Sequence, residues 1–419
     1  MPPSRVFFGW YIAAAFAVMV FLSTGLRFAV GPFLKPMVAD LGIDRASFSL
    51  AISLGLFLYG VCMPFVGRLI ERFGARGVTV GGTLVLGLSL AATALITRLW
   101  QFYLLYGVAA ALGLAATGPV VGAAVISRWF VKRRATALSM LSGASMAGMS
   151  LLVPVTMWLI LNLGWRGTYL VMGVAVVFLM VPLGLWVVRE SPEVMGLTPD
   201  GAPAMPGAAL DGALERTEVS VAMRTLAFWQ IAGALFSCGF SMSLLSSHGV
   251  PMLTDHGYSA MTASWALGLA GGSSMAFAVV MGAMGDRFGR RPMLAWLYFT
   301  RALIFLGLFT VRDNPFVLLL IALLAGTSMS GTVALGSALT ADIFGRFSVG
   351  SIFGTVFLVH QTGAALGSWL GGFLFEMTGG YGPAFFSAAA LLVAAAVVSL
   401  TIDERVHSAP RLSPVAGGR

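Results

Sequence analysis

Apolar residues run along this chain in long stretches, separated by short polar gaps. Twelve such stretches can be marked, at roughly 8–34, 46–66, 77–97, 100–127, 136–163, 167–188, 226–252, 261–285, 292–311, 315–340, 348–375 and 381–402. Each is about 20–28 residues long, enough for a helix to cross a hydrocarbon core about 30 Å thick. They are too long for ordinary core helices and too numerous for a single anchor. The first lacks a small-residue cleavage site and is one of twelve alike, so it reads as a span and not a signal peptide. The pattern predicts an all-α polytopic membrane protein.

Two of the polar gaps spell nearly the same thing. The first reads Gly67-Arg-Leu-Ile-Glu71-Arg72-Phe-Gly74-Ala-Arg76, and the second Gly282-Ala-Met-Gly-Asp286-Arg287-Phe-Gly289-Arg290-Arg291. An acid, arginines and glycines at matched spacing, half a chain apart, predict a duplicated bundle. The longest polar interval, 190–224, falls after six stretches and carries Pro192, Pro199, Gly201, Pro203 and Pro206. It reads as a linker, with a short surface helix expected over Leu210–Arg224. The expected organisation is a six-helix bundle over 1–189, a linker over 190–224, a second bundle over 225–404 and a disordered tail over 405–419. Pro119, Pro154 and Pro251 are expected to kink or end their helices.

Composition agrees. The chain of 419 residues is 58% hydrophobic and 10% charged, where a soluble protein carries about 25% charge. The net charge of +9 admits an anionic partner such as nucleic acid, but its placement argues otherwise. With the N-terminus inside, 18 of the 25 lysines and arginines fall in cytoplasmic segments and five in outer loops, with Arg27 and Arg301 inside spans. That is the positive-inside asymmetry, which predicts both termini in the cytoplasm and no nucleic-acid partner. The two cysteines, Cys62 and Cys238, read as small packed hydrophobes, and no metal-ligand spacing or cofactor motif is visible.

Twelve spans in two halves with this duplicated loop resemble the major facilitator superfamily over nearly the whole chain. The resemblance implies two pseudo-symmetric six-helix bundles, and it identifies the loops as that superfamily's hallmark and its copy. A narrower set is similar to bacterial relatives of the monocarboxylate transporters. It comprises Phe8-Gly9-Trp10-Tyr11, Gly164-Trp165-Arg166, Arg189-Glu190-Ser191-Pro192, Phe228-Trp229, His248-Gly-Val-Pro251 and His360-Gln361-Thr-Gly363-Ala-Ala-Leu-Gly367. That branch keeps an aspartate and an arginine in the eighth span, where this chain has Ser274 and Ala278. Its anion chemistry therefore does not carry over directly. The resemblance implies a carrier in a bacterial inner membrane, working as a monomer without a cofactor.

Ionisable side chains within a bilayer are costly and usually face a cavity. Here they are Arg301 in the ninth span, Arg27 in the outer half of the first, His360 in the eleventh and His248 near the outer end of the seventh. Glu376 and Asp255 lie at outer edges, and no mid-membrane acid faces the arginines. A guanidinium matches a carboxylate in geometry. The expected cargo is therefore a small organic anion, a mono- or dicarboxylate, bound by Arg301 and Arg27. His360, Gln361, His248 and Tyr11 are further candidate contacts, and Ser142, Ser145, Ser328 and Thr332 can add hydrogen bonds. His360, a group that titrates near neutral pH, is the candidate proton-coupling residue. His248 also suits an outer gate, and Arg301 has an alternative structural role bonding helix carbonyls or reaching Glu376 or Asp313.

The duplicated segments suit a cytoplasmic gate built from Gly67, Glu71, Arg72, Gly74, Arg76, Gly282, Asp286, Arg287, Gly289 and Arg290. The expectation is proton-coupled symport by alternating access, with anion exchange equally compatible. A drug exporter is less well supported. Its fifth-span Gly-Pro signature is missing from Ser142-Gly-Ala-Ser145-Met-Ala-Gly148-Met-Ser-Leu-Leu-Val-Pro154. No nucleophile–base pair or phosphate-cradling loop suggests an enzyme.

Overall fold

The computed structural model describes residues 7–130, 133–198, 217–312, 314–329, 331–344 and 349–403. Within these ranges, the side chains of 64, 67, 68, 71, 134, 135, 278, 279, 282, 283, 286, 349 and 350 are outside the description. The described residues form twelve helical spans, and no strand occurs among them. The first span, Gly9–Phe28, continues through a 3-10 turn at Gly31–Phe33 into Leu34–Leu41. The second and third form one rod, Arg45–Thr93, bent at Gly74. The fourth starts at Leu99–Phe102 and ends with Pro119–Trp129. The fifth and sixth form Arg134–Pro182, bent at Gly164.

The second half repeats the scheme. Its spans are Leu226–Asp255, Ala260–Phe288, Arg290–Thr310, Pro315–Met329 continued by Gly331–Phe344, Val349–Thr378 and Gly382–Leu400. Asp44, Thr225 and Ser259 cap the second, seventh and eighth spans by accepting the backbone N–H three residues on. Each cap satisfies a donor the helix start leaves unpaired. The polar residues 67–73, expected as a loop, instead prolong the second span. A helix that emerges from its apolar stretch keeps its internal hydrogen bonds and needs a turn only at Gly74.

The duplication is visible in the backbone. Gly74 (φ 73) and Gly289 (φ 88) turn the chain after the second and eighth spans. Gly164 (φ 70) and Gly379 (φ 71) turn it after the fifth and eleventh. These left-handed conformations exact little from glycine and strain any other residue. The hallmark glycine thus marks a tight turn, and a Cβ at Gly74 would strike the Glu190 carboxylate. Arg76 donates to the Val188 carbonyl (3.3 Å) and Arg291 to the Ile402 carbonyl (2.5 Å). Each arginine caps the end of its own half's last span, where the helix dipole favours a cation.

Two hydrophobic cores form, one mainly from residues between Ile12 and Val188 and one mainly between Ala222 and Ile402. Of the linker, 199–216 lies outside the described residues, as does the tail from 404. The helix expected over 210–224 is described only as Val219–Ala222. The end carrying Gly74 and Gly289 is called here the repeat end, and the opposite end the far end.

Candidate functional site

The two halves meet along the first, second, fifth, seventh, eighth and eleventh spans. Contact is tight at the far end. Arg45, at the start of the second span, reaches across to three groups of the other half. Its Nη1 donates to Asp255 (2.7 Å) and to the Tyr381 hydroxyl (2.8 Å), and its backbone N–H donates to Glu376 (2.9 Å). Its guanidinium also lies 3.8 Å from the centroid of the Phe375 ring. Lys35 adds a second cation to Asp255 at 2.6 Å. Below this clasp, Ser49 Oγ meets His248 Nε2 at 3.2 Å, and Ser53 donates to the Ala365 carbonyl at 2.6 Å.

Glycines allow these approaches. A Cβ on Gly31 would strike the Ser246 carbonyl, and one on Gly372 would lie 2.6 Å from the Arg45 carbonyl. Further toward the repeat end the halves part, and Gly354 of the eleventh span faces open space.

Where the halves part, a cavity with about 590 Å³ of atom-free space, counting its open mouth, lies between them. Arg27, Phe28, Ile52, Leu56, Tyr59, Tyr106 and Leu114 line it from the first half. Gly239, Met242, Ser243, Ser246, His360 and Ala364 line it from the second. Tyr106 arrives on a widened π-type turn, Tyr103–Ala110, a distortion that helices often carry at functional sites. Arg27 sits 5.2 Å from the Phe28 ring centroid and 5.1 Å from that of Tyr59. Among the described residues no carboxylate pairs with it. Apart from Ser243, Ser246 and His360 the rest of the wall is aromatic and aliphatic, and among the described residues this guanidinium is the one Lys or Arg cation lining the cavity.

Opposite, His360 stacks on Phe357 at 4.9 Å and donates from Nδ1 to Gln361 Oε1 at 2.9 Å. With Nδ1 as the donor of that bond, Nε2 is the acceptor of the ring, and it has no hydrogen-bond partner. Ser243 Oγ, also on the cavity wall, is likewise unpaired. The glycines of the His360 motif have a packing role. A Cβ on Gly363 or Gly367 would strike the seventh-span carbonyls of Phe236 or Phe240.

The structure brings together only some of the residues singled out in the sequence. Arg27 and His360 share the cavity, with Gln361 buried beside them. Arg301 does not line it. It is 1% exposed and donates to the Ser328 carbonyl, to Thr332 Oγ1 (3.3 Å) and to Cys238 Sγ (3.1 Å). Glu376 is not its partner, since it accepts from Arg45, and Asp313 lies outside the described residues. His248 is fully buried in the far-end seal, bonded to the Ser368 carbonyl (2.8 Å) and Tyr381 (3.2 Å). Tyr11 is 55% exposed near the repeat end, beside Phe8 and away from the cavity. Ser274 is buried with its hydroxyl unpaired.

Of the gate candidates, the side chains of Glu71 and Asp286 and the surroundings of Gly67 and Gly282 lie outside the described residues. Arg290 pairs with Asp342 of its own half (2.5 Å). Arg72 and Arg287 lie over their neighbouring Phe73 and Phe288 rings. Sequence reading missed Tyr59, Tyr106 and the Arg45 clasp. Aromatic residues are common in spans, and Arg45 looks like an ordinary loop cation until the fold sets it against Asp255.

Comparison with known proteins agrees with this architecture. The family model described as Major Facilitator Superfamily matches residues 16–272 and 231–417. The uncharacterized MFS-type transporter YcxA of Bacillus subtilis is 26% identical over 96% of this chain and 95% of its own. Monocarboxylate transporter 13 of Bos taurus is 26% identical over 97% and 92%. A bacterial homologue of the human lysosomal transporter Spinster, in an inward-facing and unoccupied conformation, superposes with a TM-score of 0.72. Its identity is 16%, over 96% of this chain and 95% of that one. This chain belongs to the Major Facilitator Superfamily and is a multi-pass membrane transporter, not an enzyme.

Proposed function

We propose that this transporter carries a small organic anion, a carboxylate, by alternating access. One observation carries the reading: Arg27 faces the inter-half cavity from an aromatic wall, and among the described residues no carboxylate pairs with it. An unpaired cation in such surroundings is costly, and an entering carboxylate would offset that cost through a charge-assisted hydrogen bond. Since Arg27 is the one cation on the wall, a monocarboxylate fits better than a dicarboxylate. The similarity to proteins named as monocarboxylate transporters supports the same class.

The repeat end is assigned to the cytoplasm, because basic residues concentrate there. On that assignment the seal around Arg45 and Asp255 closes the outer side, and the cavity faces inward. Rocking of the halves would break the seal and close the repeat-end segments instead. The negative interior opposes entry of an anion, so one proton per monovalent anion makes uptake electroneutral. His360, with Nε2 free as an acceptor beside the cavity, is the group suited to take it.

A thermal-shift screen of mono-, di- and aromatic carboxylates on purified protein tests the reading. Stabilisation by one class, lost in Arg27→Gln, is expected. Equal stabilisation in Arg27→Gln, or stabilisation by organic cations alone, would contradict it.

A further inference from the structure

Arg301 is the most deeply buried cation described, and it too has no carboxylate within ion-pair distance among the described residues. One of its Nη atoms donates to Cys238 Sγ at 3.1 Å, and Thr332 Oγ1 lies 3.2 Å from the same sulfur. His360 interacts with that sulfur as well, and its Nε2 has no hydrogen-bond partner. Tyr298, one turn before Arg301, is the remaining titratable group that interacts with Cys238. The sulfur is fully buried, yet the next residue, Gly239, lines the cavity together with His360. The cluster thus holds a buried guanidinium, a thiol in contact with it and a free imidazole acceptor leading to the cavity. Arg301 Nε is also left unpaired.

We propose that Cys238 is an ionisable centre of this transporter, its thiolate serving as the buried counter-ion of Arg301. The S–H bond breaks, the sulfur keeps the electron pair, and the proton passes to His360 Nε2. With the proton on His360, the three groups carry a net charge of +1. When His360 releases it to the cavity, they carry zero. The charged state favours an anion in the cavity, and the neutral state lets it leave, so loading the proton and loading the anion assist each other. The buried anion that an aspartate or glutamate would supply is here a cysteine thiolate, and His360 carries the coupled proton. The coupling step rests on the organic-anion reading above. The ionisation of Cys238 does not.

The test is the infrared S–H stretching band of Cys62→Ser protein, in which Cys238 is the only cysteine. A free thiol with a pKa of about 8.5 keeps most of its proton at about pH 7.5. The expected result is no S–H band at that pH, with the band restored in Cys62→Ser/Arg301→Gln and absent in Cys62→Ser/Arg301→Lys. A full band in Cys62→Ser itself overturns the proposal, whether or not the arginine variants fold. Transport supplies the second arm: Cys238→Ser in proteoliposomes is expected to lose proton-driven anion accumulation and keep anion exchange. Unchanged proton-driven accumulation would also overturn the proposal. If the wild-type protein moves no carboxylate, the organic-anion reading fails while the infrared result still decides the state of Cys238.

Discussion

Replacing Arg45 by glutamine should open the far-end seal. The substitution removes the pair to Asp255, the bond to Tyr381 and the contact over Phe375. The backbone bond to Glu376 remains, because it uses no side-chain atom. Partly exposed ion pairs contribute up to about 1 kcal/mol, a net hydrogen bond about 1 kcal/mol and a cation–π contact about 0.5–1 kcal/mol. The far-closed state should therefore lose about 2–3 kcal/mol relative to the far-open one, a shift of about 30- to 150-fold. Arg166→Gln is the control. It breaks an arginine–aspartate pair of similar length, to Asp40 at 2.8 Å, but that pair lies wholly within the first half. The assay is the rate at which an impermeant thiol reagent, applied from the far side of oriented vesicles, modifies Ser246→Cys beneath the seal. Mass spectrometry separates this site from Cys62 and Cys238. The rate should rise with the far-open fraction in Arg45→Gln and stay near its starting value in Arg166→Gln. No rise in Arg45→Gln, or an equal rise in both, would refute the reasoning.

Three further outcomes are expected. Gly372→Ala puts a Cβ 2.6 Å from the Arg45 carbonyl and the Ser49 hydroxyl; neither backbone can yield without parting the halves, so the same labelling rate should increase. Arg301→Gln should lower thermal stability without ligand, since leaving the Ser328 carbonyl and its neighbours without a donor costs about 1–3 kcal/mol. Arg27→Gln should not lower that stability, and equal melting curves for wild type and Arg301→Gln would contradict the burial argument. His256 lies between the seventh and eighth spans, where burial and then the Arg312 charge hold its imidazole below the usual histidine range. It should leave stability untouched above about pH 6.5 and reduce it as pH falls, because the unfolded chain then takes the proton first. Its NMR titration midpoint should rise in Arg312→Gln.

Much of the fold was legible because a bilayer enforces it. Span length and loop charge are one-dimensional signals, and the twelve stretches map onto twelve helices. The duplicated segments also kept their meaning, since Gly74 and Gly289 both take positive φ. What the sequence could not give was direction. Arg27 and Arg301 look alike as embedded arginines, yet one faces the cavity and the other turns away to Ser328, Thr332 and Cys238. Which way a helix face points depends on how the spans pack, and nearly uniform apolar composition leaves little periodicity to read it from. Cys238 read as a packed hydrophobe for the same reason: its neighbour Arg301 lies on another helix.

Uptake into proteoliposomes tests the central claim most directly. A radiolabelled monocarboxylate, chosen by the stabilisation screen, is offered with a proton gradient directed inward. Accumulation that collapses with the gradient and is lost in Arg27→Gln is the predicted result. Uptake that persists in Arg27→Gln, or that requires an organic cation in place of the carboxylate, would contradict it.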